Sequence, residues 1–214
     1  VWQFEVPPAH HYPLDETFGD VIHDIGDGLD GRARNGAQLG QPGATAKTGS
    51  SIRFDGNNDQ IEIPALDLYQ DRMTITGWAR RSGAQADFTG LVYSRAGGTV
   101  AGLHLGDAHD LRYTWNGDAA TFNWSSGIKL PNDEWVFVAL VVEPHQATIY
   151  RGRNGAISSA TNPVAHAPEE WNDTWMIGRD PAGGRVLDGW LDDIRVYRSA
   201  LSAAEVQAIY DATR

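Results

Sequence analysis

Cysteine does not occur in this chain of 214 residues. Its absence excludes a disulfide scaffold, a zinc–thiolate site and a thiol nucleophile. No run of about 18 apolar residues is present either, which excludes a membrane-spanning helix. The first residues lack both the charged and the apolar segment of a signal peptide, as expected for a mature or excised domain.

Basic residues are scarce relative to acidic ones. The chain has 17 Lys and Arg against 28 Asp and Glu, a net charge of −11. This balance opposes non-specific binding to nucleic acid or to anionic membranes, so we expect no nucleic acid partner and no membrane insertion. A local basic patch would still allow a sulfated or uronic polysaccharide to bind. The chain also combines only 2 Met with 8 Trp and 24 Gly, and so much glycine indicates many turns.

Hydrophobic patterning predicts an all-β protein. Residues 73–80 alternate between two faces, residues 135–143 are almost continuously apolar, and residues 187–197 form a long last strand. The one helical signal lies at the C-terminus, where Ser202 and Glu205 form a capping-box motif. About eleven short strands and this helix predict a two-sheet antiparallel β-sandwich, or jelly roll, with a short C-terminal helix.

The same patterning suggests one domain. Residues 1–10 are interpreted as a linker stub or leading strand, with His10 and His11 in linker, and residues 11–214 as a single β-sandwich domain. Residues 15–49 show no periodicity, so an irregular stretch of that length needs something to anchor it. Residues 111–115 and 121–124 are expected to pair as a hairpin around a glycine-containing turn.

Four stretches together resemble the laminin-G-like, concanavalin A-like jelly-roll superfamily in its bacterial form. Their order and spacing match that family across almost the whole chain. The stretches are residues 51–63, residues 73–80, residues 135–142 with 149–152, and residues 189–197 leading into 201–206. The resemblance implies the sandwich fold, but this fold carries lectins, carbohydrate-binding modules, sialidase side domains, glucanases and adhesion domains.

Catalytic signals are weak. Jelly-roll glucanases carry their carboxylates on one strand as Glu-x-Asp-x-x-Glu, and no Glu of this chain is followed two residues later by Asp. A jelly-roll polysaccharide lyase would use Tyr, His and Arg around a uronate. Tyr93, His104 and Arg95 are conceivable in those roles, but the lyase motifs are not visible. We therefore expect a protein that is not an enzyme by itself.

A structural calcium ion is expected in the irregular early segment. Asp24, Asp27 and Asp30 lie three residues apart in a glycine-rich loop, and Ca²⁺ takes oxygen ligands of this kind. The resemblance implies that such an ion ties the loop to the last strand, where Asp192 lies. The alternative is a solvated acidic turn.

Aromatic and basic residues suggest a sugar site. Trp115 and Trp124 flank the predicted hairpin and would form a stacking platform if exposed, or a cross-strand pair within the core. Tyr93, Arg95, His104 and Arg112 lie on neighbouring predicted strands and would supply polar contacts. His104 and Arg112 should face outward, because the leucines around them face the core.

These observations predict a non-catalytic carbohydrate-binding module that is secreted or on the cell surface of a bacterium. It would be a monomer that binds a polysaccharide or oligosaccharide and holds an attached enzyme or surface protein near it. The alternatives are a structural or adhesion domain that packs on a neighbouring domain or a protein partner, and a jelly-roll lyase or hydrolase. Exposure of Trp115 and Trp124 would favour the binding module, and their burial would favour the packing domain.

Overall fold

The computed structural model describes residues 6–214, which form mostly antiparallel strands. The strands are β1 (His10–Tyr12), β2 (Val21–Ile22), β3 (Gly31–Arg34), β4 (Gln38–Pro42), β5 (Ser50–Asp55), β6 (Gln60–Ile63), β7 (Tyr69–Gln70), β8 (Met73–Arg81), β9 (Gly90–Ala96), β10 (Thr99–Leu105), β11 (Leu111–Thr114), β12 (Val136–Glu143), β13 (Gln146–Arg153), β14 (Ala156–Asn162), β15 (Glu169–Glu170), β16 (Trp175–Ile177), β17 (Arg179–Asp180), β18 (Arg185–Val186) and β19 (Asp188–Tyr197). The helices are α1 (Ala119–Phe122) and α2 (Ala203–Thr213).

Two large antiparallel sheets form the predicted β-sandwich. One has the order β14-β13-β12-β8-β19-β5-β4, with β1 paired to β19 as an eighth strand. The other is seven-stranded, with the order β11-β10-β9-β16-β6-β3-β2. Strands β7 with β15 and β17 with β18 form two small ribbons beside them. The predicted fold class is confirmed.

The apolar strand β12 lies inside the eight-stranded sheet, between β13 and β8. Val136, Val138 and Leu140 enter the core between the sheets, whereas Phe137 packs on the other side under α2. Burial on both faces explains why this strand is almost continuously apolar.

Helix α2 begins where the capping-box motif predicts it. Ser202 Oγ accepts the N–H of Glu205, and the Glu205 carboxylate accepts the N–H of Ser202. Its buried Val206 and Ile209 pack with Trp78 on the outer face of the eight-stranded sheet. Trp78 is therefore buried, but beneath this helix rather than between the sheets.

Three local expectations were wrong. Residues 121–124 do not form a strand, because Asp118 caps the N-terminus of α1 by accepting the N–H of Ala120. The early segment is not irregular throughout, since it contains β2, β3 and β4. His10 and His11 are not linker but lie in β1, opposite Val196 and Arg195 of β19.

The predicted domain boundary is only partly visible. Of the proposed stub 1–10, residues 1–5 lie outside the described residues, and a single domain from residue 11 stays a prediction. Within residues 6–214, no helix has the length and apolar character needed to cross a bilayer.

Candidate functional site

A row of residues, most of them polar, crosses the outer face of the seven-stranded sheet. The core side of this sheet is filled by residues such as Val92, Leu103 and Tyr113, so their neighbours along each strand point away from the core. Strand pairing aligns the outward residues across the sheet in the order Arg32, Glu62, Met176, Tyr93, Gly102 and Thr114.

At the β9–β11 end of this face the chain forms an open cavity of about 280 Å³, here named the arginine pocket. This volume is just below the range of about 300–1,000 Å³ usual for drug-sized ligands, so the cavity suits a smaller group. Strands β9, β10, β11 and β18, helix α1 and the β8–β9 loop all contribute to it. The lining residues are Phe88, Arg95, Val100, Thr114, Gly117, Phe122 and Arg185.

Phe88 gives the pocket an aromatic wall. Its backbone has φ of +61°, a left-handed conformation that is rare and strained for a bulky residue. In this conformation the ring lies 5.2 Å from the His104 ring and 6.2 Å from the Phe122 ring, measured between centroids. The guanidinium of Arg185 lies 4.7 Å from the centroid of Phe88. Strain of this kind is common at functional sites, where surrounding contacts hold it in place.

The buried carboxylate of Asp180 holds both pocket arginines. Arg95 donates from Nε to Oδ1 at 2.8 Å and from Nη2 to Oδ2 at 3.3 Å, and Arg185 donates from Nη1 to Oδ2 at 2.7 Å. Gly90 makes this approach possible, because a Cβ there would lie 2.3 Å from the Asp180 nitrogen. Two cations and one anion leave this corner with one excess positive charge in a strongly acidic protein.

Tyr93 and His104 support the pocket from below without being exposed. Both are 0% exposed, and the Tyr93 hydroxyl accepts a hydrogen bond from Arg95 Nη2 at 3.0 Å. Burial raises the pKa of Tyr93 to about 12 and lowers the pKa of His104 to about 4, so both side chains are neutral at pH 7. His104 Nε2 lies 3.2 Å from the hydroxyl of Thr114, which lines the pocket. The outward orientation of His104 was expected, but burial prevents direct contact of either side chain with a ligand.

Arg112 also points away from the core, but toward a turn rather than into the pocket. Its Nε donates to Asp110 and its Nη2 to Asp107, each at 3.0 Å. Burial acts to lower the pKa of Arg112, but Asp110 and Asp107 outweigh this effect and raise it. Arg112 is thus committed to holding residues 107–110.

The predicted tryptophan platform does not form. The Trp115 side chain is only 2% exposed, and its indole N–H donates to the carbonyl of Ala167 at 2.7 Å. Trp124 is half-buried and packs edge-on against Tyr113, with ring centroids 6.0 Å apart. Because α1 replaces the second predicted strand, the two indoles do not pair across a hairpin. Neither lines the arginine pocket.

A second cavity, here named the rim groove, lies beside the β7–β15 ribbon and has a volume of about 310 Å³. Its aromatic member, Tyr69, is 69% exposed. The groove adjoins the pocket, because Val100 lines the pocket while the hydroxyl of Thr99 donates to the Glu170 carbonyl. The groove residues are Asp67, Leu68, Tyr69, Glu170 and Asn172.

The carboxylate of Asp24 anchors the early loop by hydrogen bonds. Oδ1 accepts the N–H of His11 at 2.7 Å and of Gly26 at 2.9 Å, and Oδ2 accepts the N–H of Leu29 at 2.9 Å. The His10 ring nitrogen Nδ1 lies 2.8 Å from Oδ2. Burial acts to raise the pKa of Asp24, but these donors outweigh it and the pKa is lowered.

The four carboxylates predicted to bind calcium do not come together. Asp30 accepts the N–H of Asp24 at 2.9 Å, Asp27 pairs with Arg198 at 2.8 Å, and Asp192 bonds to the loop between β4 and β5. Within residues 6–214, no three His, Asp or Glu side chains are arranged to hold a metal ion. Donors already occupy both oxygens of Asp24, so these residues do not fit one shared ion. Calcium binding stays an untested prediction.

Most of the pocket was missed by sequence reasoning, which found only Arg95 among the lining residues. Phe88 lies in a loop, Phe122 in a short helix and Arg185 in a two-residue strand. Such short elements show no hydrophobic periodicity from which they could be predicted. Their only sequence signals are indirect. One is Gly90, two residues after Phe88, and the other is the pair of glycines before Arg185.

Residues 55–207 match the family described as the concanavalin A-like lectin/glucanases superfamily. No curated protein matches the chain. The structure resembles domain 4 of AbnA, a GH43 extracellular arabinanase from Geobacillus stearothermophilus solved with arabinotriose, with a TM-score of 0.69 and 19% identity over 98% of this chain and 100% of that one.

Two further solved structures have the same architecture. Trypanosoma rangeli sialidase, in complex with the inhibitor DANA, gives a TM-score of 0.68 and 16% identity over 94% of this chain. The binding domain of botulinum neurotoxin serotype D gives 0.64 and 13% over 95% of this chain and 50% of that one. The chain spans only 32% of the sialidase's length. At these identities the likeness establishes the fold alone.

Proposed function

The chain belongs to the concanavalin A-like lectin/glucanase superfamily, and we propose that it is a non-catalytic carbohydrate-binding module. The observation that carries this proposal is the arginine pocket, which combines aromatic walls with guanidinium groups on an outward sheet face. A sugar residue presents C–H faces that pack on aromatic rings and hydroxyls that accept hydrogen bonds from arginine.

The lining chemistry favours binding over catalysis. A glycosidase of the usual kind needs two carboxyl groups beside the scissile bond. The carboxylates that line the proposed site, Asp67 and Glu170, belong to the rim groove and not to the arginine pocket. The lyase alternative needs Tyr93 and His104 to reach the polymer, but both are fully buried. We therefore assign the pocket to recognition.

The module would act by proximity. Binding to one polymer chain raises the local concentration of any domain attached to the module. A monomer that is secreted or on a cell surface, and joined to other domains, suits this role. The rim groove beside the pocket would extend contact to a neighbouring sugar residue, with Tyr69 as its exposed ring.

A structural or adhesion domain is the second candidate. Two observations favour it. Trp115 is buried, and two apolar side chains in the early loops are exposed, Phe18 at 86% and Ile25 at 63%. Apolar groups of this size at a surface are suited to contact with a protein partner. Loss of partner binding on Phe18→Ala, without any sugar affinity, would support this role.

Affinity electrophoresis against neutral and acidic polysaccharides tests the proposed function. Phe122→Ala should weaken binding by about 1–3 kcal/mol, by analogy with bases that stack on aromatic side chains. Phe18→Ala is the matched control, because it removes an exposed phenylalanine that does not line the pocket. Tyr69→Ala should have a smaller effect if the groove only extends the site.

Two results would contradict this assignment. Full loss of binding by Tyr69→Ala with no effect of Phe122→Ala would move the sugar site to the rim groove. Release of reducing ends or of unsaturated products from a bound polymer would show that the domain is an enzyme.

A further inference from the structure

One edge of the Arg185 guanidinium is free to bind a ligand. Nη1 donates to Asp180, whereas Nε and Nη2 have no hydrogen-bond partner among residues 6–214. These two nitrogens form the side edge of the guanidinium, which matches the two oxygens of a carboxylate in a bidentate pair. Arg95 shows the same pairing already made, because its Nε and Nη2 both donate to Asp180.

The position of Arg185 is fixed before any ligand arrives. Asp180 holds Nη1, and the Phe88 ring lies 4.7 Å from the guanidinium carbon. The side chain keeps 28% of its surface exposed and lines the arginine pocket. A preorganised guanidinium loses little conformational entropy on binding, which favours affinity.

The charges in the arginine pocket also favour an anionic ligand. Arg95 and Arg185 carry two positive charges, Asp180 carries one negative charge, and burial keeps Tyr93 and His104 neutral. A ligand carboxylate would complete two ion pairs in this corner. A neutral sugar would offer the N–H groups of Arg185 only uncharged hydroxyl acceptors, which bind them more weakly than a carboxylate and leave the excess positive charge unpaired.

We propose that the arginine pocket selects an acidic sugar residue whose carboxylate binds the Nε–Nη2 edge of Arg185, with Arg95 as the second cation of the site. This inference rests on the proposed function and names its ligand class, a uronate or another carboxylated sugar. The net charge of −11 opposes non-specific attraction to acidic polymers, so binding to one would require a local site of this kind.

The test compares each acidic polymer with its uncharged methyl ester. The intact protein is titrated by calorimetry with polygalacturonate, alginate and hyaluronan, with the methyl ester of each, and with neutral arabinan and dextran sulfate. At least one uronate polymer should bind, and its methyl ester should bind about 10- to 100-fold more weakly, as expected for loss of a hydrogen bond to a charged group.

Variants of Arg185 test the assigned edge. Arg185→Gln should reduce affinity for the uronate polymer by about 10- to 100-fold and have a much smaller effect on the affinity for its ester. Arg185→Lys keeps the charge beside Asp180 without the planar edge, so it should restore only part of the affinity. Arg32→Gln is the matched control, because Arg32 lies on the same face and pairs with Asp20 at the far end of the sheet.

The outcomes separate the inference from the function on which it rests. Equal binding of acid and ester, or dextran sulfate bound while every uronate polymer is not, would overturn the carboxylate assignment and leave carbohydrate binding intact. Failure to bind any polymer of the panel would overturn the proposed function as well. If Arg185→Gln lowers Tm, its loss of binding does not test the carboxylate assignment. Arg185→Lys and the comparison of acid with ester on the wild-type protein then test it.

Discussion

Replacing Asp192 by asparagine should stabilise the protein, by an amount that grows from about pH 4 to about pH 7. Asp192 is 0% exposed, and its Oδ2 accepts hydrogen bonds from the Ala44 N–H and the Thr48 hydroxyl, both at 2.7 Å. Its Oδ1 has no partner within residues 6–214. Burial, with the charges of Asp193 and Asp15, raises the pKa of Asp192 to about 7.

The sign and size of the effect follow from this pKa. In the unfolded chain an aspartate titrates near 3.9, roughly three pH units lower. Between the two values the native state keeps a proton that the unfolded state has lost, so the Asp192 contribution to stability falls from about pH 4 to about pH 7 and is level above that. From pH 5 to pH 8 the loss is about 3 kcal/mol, or roughly 6–12 °C in Tm for a domain of this size.

Urea unfolding at pH 5, 6, 7 and 8 measures this difference for the wild-type protein and Asp192→Asn. The asparagine oxygen keeps the acceptor for Ala44 and Thr48, so only the charge is removed. Asp27→Asn is the control, because Asp27 is a half-exposed carboxylate whose ion pair with Arg198 contributes little to stability. If the difference in free energy of unfolding between the wild-type protein and Asp192→Asn stayed constant within a few tenths of a kcal/mol from pH 5 to pH 8, the raised pKa would be refuted.

Other side chains allow similar tests of stability. Asp24→Ala should lower the free energy of unfolding by about 3–5 kcal/mol, because it leaves several buried donors without an acceptor. EDTA should leave the wild-type Tm unchanged, and a fall in Tm that calcium reverses would instead support the predicted ion. Ser202→Ala should cost about 1 kcal/mol in urea unfolding through loss of the helix cap, and a change near zero would mean that α2 is capped in another way. Trp115→Ala should lower the free energy of unfolding by about 3–5 kcal/mol, and Trp124→Ala by less, because of these two only Trp115 is fully buried. If the Trp115 variant instead lost sugar binding and kept the wild-type Tm, the Trp115 ring would belong to the binding site.

Part of this molecule was determined by the sequence alone. The alternation at residues 73–80 and the apolar run at 135–143 correspond to β8 and β12, which are neighbours in one sheet. Ser202 and Glu205 cap α2 as their spacing predicts. These features are local, because a strand or helix turn is specified by residues close together in the chain. The outward orientation of His104 and Arg112 was predictable for the same reason.

Only the tertiary structure decided which outward side chains meet solvent. His104 lies on the outer face of its sheet, yet the loop that carries Phe88 covers it completely. Arg95 meets its partner Asp180 across 85 residues of sequence. Strand periodicity assigns a side chain to a face, but its exposure depends on which distant loop packs over that face. The exposed edge of Arg185 and the burial of Trp115 both follow from such long-range packing, so the arginine pocket became visible only in the folded chain.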